Sequence, residues 1–224
     1  MQIYIVIAAY NEEKSIVNVI KSLKKEGYHN IIVVDDGSKD KTYELCQKEG
    51  VYVIYHIINR GQGAALKTGI DYALLKGADI LVTFDADGQH RADEIKKLVQ
   101  PVEEGEVDVA LGSRFLDSET KVPFFKKLIL KGGIIFTWIF SGIRLTDTHN
   151  GFRAFSRKAA QQIEITQDRF EHASEIIDEI ARKKIRFKEV PVTIVYSKYA
   201  KAKGQSIFNS IMIAFKLLYS RIVR

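Results

Sequence analysis

Six consecutive residues, Asp85-Ala86-Asp87-Gly88-Gln89-His90, concentrate more chemistry than any other stretch of the chain. Asp85 and Asp87 stand two positions apart, close enough for their oxygens to share one hard divalent cation. Gln89 offers a neutral oxygen two residues further on, and Gly88 lets the backbone turn and a ligand approach closely. A cation held by so few protein groups keeps positions open for substrate phosphates, as Mg2+ sites do. Asp and Gly are also ordinary turn residues, so a plain surface turn is the competing reading of the hexapeptide taken alone.

The elements that must position these residues are readable from hydrophobic periodicity. Apolar runs at 3–8, 31–34, 51–55 and 80–84 predict short buried strands, and the last leads straight into the acidic stretch. Helical patterns at about 13–25, 41–49 and 61–76 separate them. This alternation predicts an α/β fold, a parallel sheet covered by helices on both faces. Ligands of such sheets bind outside the carboxyl ends of the strands. Tyr10-Asn11-Glu12, Asp35-Asp36-Gly37, Asn59-Arg60-Gly61 and the acidic stretch all fall at those ends. Asp36-Gly37-Ser38 also reads as a helix start, since Asp and Ser are good caps. The glycines of 59–67 open a helix where backbone N–H groups can meet an anion, with Lys67 a secondary contributor. The Gly-Lys-Ser/Thr ending of a P-loop is missing there.

Further on, a helix is expected at 92–99 and a strand at 107–111, followed by Gly112-Ser113-Arg114-Phe115. The alternation then breaks. Residues 121–145 are apolar with basic punctuation at Lys126, Lys127, Lys131 and Arg144, and Asp147-Thr148-His149-Asn150-Gly151-Phe152-Arg153 follows. A short strand at 154–155, a helix at 171–183 and a strand at 187–196 come next, Pro191 marking an edge or a bulge. The simplest division is a catalytic domain over 1–196 and a basic linker with an amphipathic helix over 197–224.

Composition narrows the classes. With 46% hydrophobic and 28% charged residues, the chain of 224 residues reads as one large globular domain rather than a disordered one. The net charge of +6 suits an anionic partner without choosing among phosphates, lipid headgroups and nucleic acid. No recognition helix, zinc spacing or aromatic RNA-binding strand is present, so nucleic acid is not an expected partner. A single cysteine, Cys46, excludes an internal disulfide and reads as a small core residue. The N-terminus lacks the pattern of a signal peptide, and no segment reaches the roughly 20 apolar residues of a membrane span, so a cytoplasmic catalytic part is expected. His90 and His172 lack a second histidine at ligand spacing, which argues against zinc. His90 is expected to close the acidic loop, while Glu171 and His172 face either an acceptor or solvent from a helix's first turn.

Five motifs in order, Ala9-Tyr10-Asn11-Glu12, Val34-Asp35-Asp36-Gly37-Ser38, Asp85 to His90, Gly112 to Phe115 and Asp147 to Arg153, resemble one family. The chain is similar to inverting glycosyltransferases of the family-2 type with a GT-A (Rossmann-like) fold, above all to polyprenyl- and dolichyl-phosphate mannose and glucose synthases. The resemblance runs from residue 3 to about 196 and implies a metal-dependent transfer of a hexose from a UDP- or GDP-sugar to a polyprenyl phosphate. It gives Asp85, Asp87 and Gln89 an Mg2+ or Mn2+ ion bridging the donor diphosphate. Ala9, Tyr10, Asn11, Glu12, Asp35, Asp36, Gly37, Gly61, Asp85 and Ala86 are implied to bind the nucleotide. The family usually has Pro at the position of Ala9.

Asp147 falls at the family's catalytic-base position, with Arg114 and Arg153 suited to holding phosphate. A sugar hydroxyl acceptor needs a carboxylate to remove its proton. A lipid phosphate is already anionic, and Asp147 would then orient its basic neighbours. An internal Asp147–Arg153 ion pair is the structural alternative. Lys127 and Lys131 fall near the acceptor phosphate of relatives. A lipid acceptor implies peripheral association with the cytosolic face of a membrane, through 124–145 and the apolar stripe that begins at Ser206, with Lys198, Lys201 and Lys203 before it. Those stripes read equally as sheet cover or as a dimer seam, which leaves the oligomeric state open. The competing functions are transfer to a sugar hydroxyl in a cell-surface polysaccharide and a nucleotide-binding module without catalysis.

Overall fold

The computed structural model describes residues 1–116 and 124–196, except for the side chains of 124–129, 136 and 140. The basic stretch and helix expected over 197–224, and the side chain of Lys127, lie outside the described residues. Seven strands form one sheet: β1 (Ile3–Ala9), β2 (Ile31–Asp35), β3 (Tyr52–Tyr55), β4 (Ile80–Thr83), β5 (Val109–Ser113), β6 (Arg153–Ser156) and β7 (Phe187–Pro191). Their spatial order is β3-β2-β1-β4-β6-β5-β7. β1, β2, β3 and β4 pair in parallel, as do β5 and β7, while β6 runs antiparallel to both β4 and β5.

The central strands β1, β2, β4 and β5 are buried along nearly their whole length because they are almost wholly apolar, and the two-residue period divides their side chains between two cores. Ile5, Ile7 and Ala9 of β1 face one core with Ile16, Val19, Ile20 and Leu23 of α1 (Ile16–Lys25). Cys46 of α2 (Thr42–Lys48) and Ile95, Leu98, Val99 and Val102 of α4 (Ile95–Glu103) complete it. Tyr4 and Val6 face the other core with Ala65, Leu66, Ile70 and Ala73 of α3 (Gln62–Leu75). Ala159 and Ala160 of α6 (Arg157–Gln162) and Ile176, Ile177 and Ile180 of α7 (His172–Arg182) join them there. Burial pushes the Cys46 thiol up to about 12, which leaves it an inert core group.

Two elements differ from the sequence reading, the last strand and α6. The strand expected over 187–196 stops at Pro191; beyond it the Val192 N–H still reaches the Ser113 carbonyl at 3.0 Å, and the chain then makes an isolated bridge from Ile194 to His90. β7 is nonetheless an edge strand, as a proline there requires. The apolar stretch before Asp147 becomes α5 (Phe124–Ser141), and the short α6 follows β6 directly. The two helices on either side of the 145–153 loop region, α5 and α7, pack against each other.

Candidate active site

The loops that follow β1, β2 and β4 leave the sheet at one edge, and the reversed direction of β6 brings the loop before it to the same edge. Arg153, the first residue of β6, pairs with Thr83, the last of β4. Thr83 Oγ1 donates to the Gly151 carbonyl at 2.6 Å. Gly151 lies so close to the acidic stretch that a Cβ on it would stand 2.7 Å from Asp85 Oδ1, so only glycine fits there.

Within the acidic stretch Ala86 turns into the core and Asp85 and Asp87 turn away from it. His90 is buried, stacked on Phe152 with ring centroids 4.9 Å apart, and its Nε2 stands 2.9 Å from Asp85 Oδ2. His90 therefore does close the loop. Burial works to raise the Asp85 carboxyl, yet the charge and hydrogen bond of His90, with His172 and Arg114 beyond, hold it below the usual carboxylate range. Burial and then the adjacent Asp85 charge push Asp87 above that range. The ionised form of Asp87 is thus disfavoured despite Gln89 and His90, a setting that a bound cation would relieve. Gln89 donates its backbone N–H to Asp87 Oδ1 at 3.0 Å and its side-chain amide to Asp87 Oδ2. A half-turn of that amide brings its oxygen to the same place. Two carboxylates and an amide oxygen fit the hard-oxygen preference of Mg2+ and Mn2+. Among the described residues no group of three or more His, Cys, Asp or Glu is placed to hold a metal, so an ion here needs oxygens from a ligand and from water.

The β2 loop is a web. Asp35 is buried; its Oδ1 accepts from the Ser38 N–H at 2.7 Å, while its Oδ2 is buried without a partner. Burial raises its carboxyl above the ordinary value. Asp36 accepts the N–H groups of Arg60 at 3.0 Å and Gly61 at 2.6 Å, and lies 2.8 Å from His56 Nδ1. The cradle expected at 59–67 thus already receives a protein carboxylate. Gly61 and Gly63 are required by close packing instead: a Cβ would meet the Asp168 and Gln167 carbonyls at 2.5 and 2.0 Å. Lys67 points outward to Asp71 at 2.6 Å. Asp36 caps no side of α2, which begins at Thr42 and takes its local hydrogen bond from Asp40. Asn11, with φ of 53°, donates its N–H to Ser38 Oγ at 2.8 Å, and Glu12 donates its own to Thr42 Oγ1 at 2.7 Å. Ala9 accepts the Asp36 N–H at 2.8 Å, Gly37 turns at φ 73°, and Tyr10 is exposed at the rim.

On the other side of β4, Asp147 is buried and paired with Arg114, not with Arg153. Arg114 donates its Nε at 2.5 Å and its backbone N–H at 3.1 Å to Asp147 Oδ2, and the His149 N–H reaches Oδ1 at 3.3 Å. Arg153, also buried, donates instead to the carbonyls of Asn150, Thr148 and Ala173. Burial pulls its guanidinium down to about 10, with Asp147 and Asp85 working against that. Glu171 and His172 are buried rather than solvated. Burial pushes His172 down to about 4, its Nδ1 lying 2.6 Å from the Arg169 carbonyl.

Two further residues contribute, Gln62 within the 59–67 stretch and Glu189 outside the sequence motifs. Gln62 Nε2 stands 3.4 Å from Asp85 Oδ1, and Glu189 of β7 takes hydrogen bonds from Thr146 and Asp147. Lys131 is exposed on α5. Ile135, Trp138 and Ile139 of that helix are exposed at the three- and four-residue spacing of one face, and the Arg144 guanidinium lies 4.4 Å from the Trp138 ring centroid. No helix among the described residues is long and apolar enough to cross a membrane.

Set beside known proteins, residues 4–164 match the family model described as Glycosyl transferase family 2. The chain is 37% identical over 238 residues to a UDP-N-acetylglucosamine–dolichyl-phosphate N-acetylglucosaminyltransferase of Methanococcus voltae, spanning 97% of this chain and 93% of that one. It is 32% identical over 232 residues to a dolichol-phosphate mannosyltransferase of Pyrococcus furiosus, of which it spans 64%. Among solved structures, a glucosyl-3-phosphoglycerate synthase of Mycobacterium tuberculosis in complex with Mn2+ and UDP-glucose superposes with a TM-score of 0.76 at 19% identity, covering 98% of this chain and 78% of that one.

Proposed function

The chain belongs to glycosyl transferase family 2 and has the GT-A fold, and on that premise we propose that it moves a sugar from a UDP-sugar to a polyprenyl phosphate. The observation that carries this reading is the engagement of Asp147. One of its oxygens takes two hydrogen bonds from Arg114 and the other faces the His149 N–H. The carboxylate oxygen so held serves to orient Arg114 through charge-assisted bonds. An acceptor that arrives as an anionic phosphate needs no proton removed, and the arrangement suits it. The Methanococcus voltae relative, named for a UDP-sugar donor and a dolichyl-phosphate acceptor, supports the same substrate classes.

In this reading Asp35 offers its unpartnered oxygen to the nucleoside, and Tyr10, Asn11, Glu12, Asp36, Gly37 and Gly61 form the walls around it. Asp85 and Asp87, with Gln89, would hold Mg2+ or Mn2+, which when bound stabilises the charge gathering on the departing nucleoside diphosphate. Arg114, oriented by Asp147, and the basic residues Lys127 and Lys131 attract the acceptor phosphate. Arg153 ties the loop before β6 to α7. Phosphate oxygen attacks the anomeric carbon from the face opposite the diphosphate, a bond forms there as the sugar–diphosphate bond breaks, and the configuration inverts. The exposed Ile135-Trp138-Ile139 face, with Lys131 and Arg144 at its ends, supports contact with the cytosolic face of a membrane.

The test is transfer from radiolabelled UDP-sugars and GDP-sugars to detergent-dispersed polyprenyl phosphate, with Mn2+ or with EDTA. Label is expected in the organic phase from a UDP-sugar, and EDTA is expected to abolish it. Label appearing only on a free saccharide would overturn the lipid acceptor. Nucleotide binding without transfer to either acceptor would overturn the reaction itself.

A further inference from the structure

We infer that Glu189 is a positioning residue that holds Asp147 and Arg114 in register at the reacting centre. Glu189 sits in the edge strand β7 opposite Leu111 of β5. Its carboxylate accepts the Thr146 N–H at 2.8 and 2.9 Å, the Thr146 hydroxyl at 2.8 Å and the Asp147 N–H at 3.1 Å. Because the Thr146 proton points to Glu189, the Ser113 hydroxyl, 2.6 Å away, donates to Thr146 Oγ1. Ser113 Oγ in turn accepts the Phe115 N–H at 3.3 Å. Arg114 lies between Ser113 and Phe115, and its N–H and Nε both reach Asp147 Oδ2. The chain of hydrogen bonds therefore closes on itself: Glu189 fixes the 146–147 backbone and both hydroxyl directions, and the two turns it joins present the Asp147–Arg114 pair.

An ionised carboxylate is what gives this ring its direction, since it accepts without donating. Glutamine in its place keeps the shape but only one acceptor oxygen: with that oxygen at the Oε1 position, its NH2 stands against the Thr146 N–H that Oε2 accepts at 2.9 Å, and the backbone at 146 is pushed off the ring. Asp85 feels the ring only through the charge of Arg114, which the Glu189 change leaves in place. The inference rests on the reading of Asp147 as a residue of the reacting centre.

The experiment measures kcat and KM for Glu189→Gln, Thr146→Val and the double variant in the full chain, with Asp147→Asn assayed in parallel. A displacement of about 1 Å at a reacting group lowers turnover on the order of 10²-fold, so Glu189→Gln is expected to lose about 10- to 100-fold in kcat. KM for the nucleotide sugar should stay within about twofold, as for loss of an interaction made only in the transition state. The double variant should lose much less than the product of the single losses, because both changes open one ring. Retention of the thermal shift with UDP and Mn2+ shows that each variant is folded. Wild-type kcat in Glu189→Gln beside a slow Asp147→Asn would overturn the role of Glu189 alone, as would a loss confined to donor KM. Wild-type turnover in Asp147→Asn would overturn the reading of Asp147 on which it stands.

Discussion

The two sides of the site differ in how their charges are balanced. Around β1, β2 and β4, polar groups are left in need of partners: Asp35 Oδ2 is buried without one, and Asp87 is pushed up by burial and by Asp85. Around β5, β6 and β7 the charges answer one another within the protein: Arg114 with Asp147, Arg153 with three carbonyls, Glu189 with Thr146 and Asp147. The difference teaches that ligand and protein share the work unequally. On the proposed function, the first side waits for the nucleotide and its cation, while the charges of the second are paired beforehand, with the buried Asn150 Nδ2 left over.

The strongest way to break this contrast is Asp87→Ala. It should lower transfer on the order of 10³-fold, as removal of a group stabilising developing charge does, and abolish the Mn2+-dependent part of UDP binding in calorimetry. Binding that survives with full Mn2+ dependence would place the cation elsewhere. Asp36→Asn comes next. It weakens the acceptor of the Arg60 and Gly61 N–H groups, so stability should fall by about 1–3 kcal/mol and nucleotide affinity with it, read from urea midpoints and UDP titration. A drop in affinity at unchanged stability would make Asp36 a direct ligand instead.

His172 sharpens the second side. Burial holds its folded pKa at about 4, below the ordinary 6.5 of a histidine, so the unfolded chain binds more protons between those values. This group's contribution is therefore full above about 6.5 and is lost as pH falls toward 4. Denaturant titrations of wild type and His172→Gln should diverge across that window by at most about 3 kcal/mol. Parallel pH profiles would show that His172 is not buried as a neutral ring. The smallest effect is expected at Lys67→Ala: its partner is the exposed Asp71, so activity should stay within about twofold and stability within about 0.5 kcal/mol. A large loss in donor KM would restore the anion cradle at the start of α3.

Much of this was legible from local pattern. Unbroken apolar runs marked β1, β2 and β4, and the acidic residues at their ends announced the edge where they gather. What was not legible depends on partners distant in the chain. Arg114 and Asp147 lie 33 positions apart, and no spacing rule prefers that pair to Asp147–Arg153. Glu189 looks like a solvated side chain on an edge strand until the loop at Thr146 folds against it. The helix α6 escaped because its cap, Ser156, is also the last residue of β6 and accepts the Ala159 N–H at 3.1 Å. The carboxylate of Asp36 resembles a cap in sequence but is drawn instead to backbone N–H groups 24 and 25 residues away.

The reversed strand β6 has an evolutionary consequence. Every other strand delivers its trailing loop to the working edge, so lengthening such a loop also shifts the helix that returns the chain. β6 alone is fed by its leading loop, which joins it to α5 without a crossover of its own. Insertions and replacements ahead of Thr146 can therefore accumulate with little disturbance to the frame. On the proposed function, that makes the segment from α5 to Arg144 the natural place for descendants of one scaffold to change what receives the sugar while leaving unaltered what donates it.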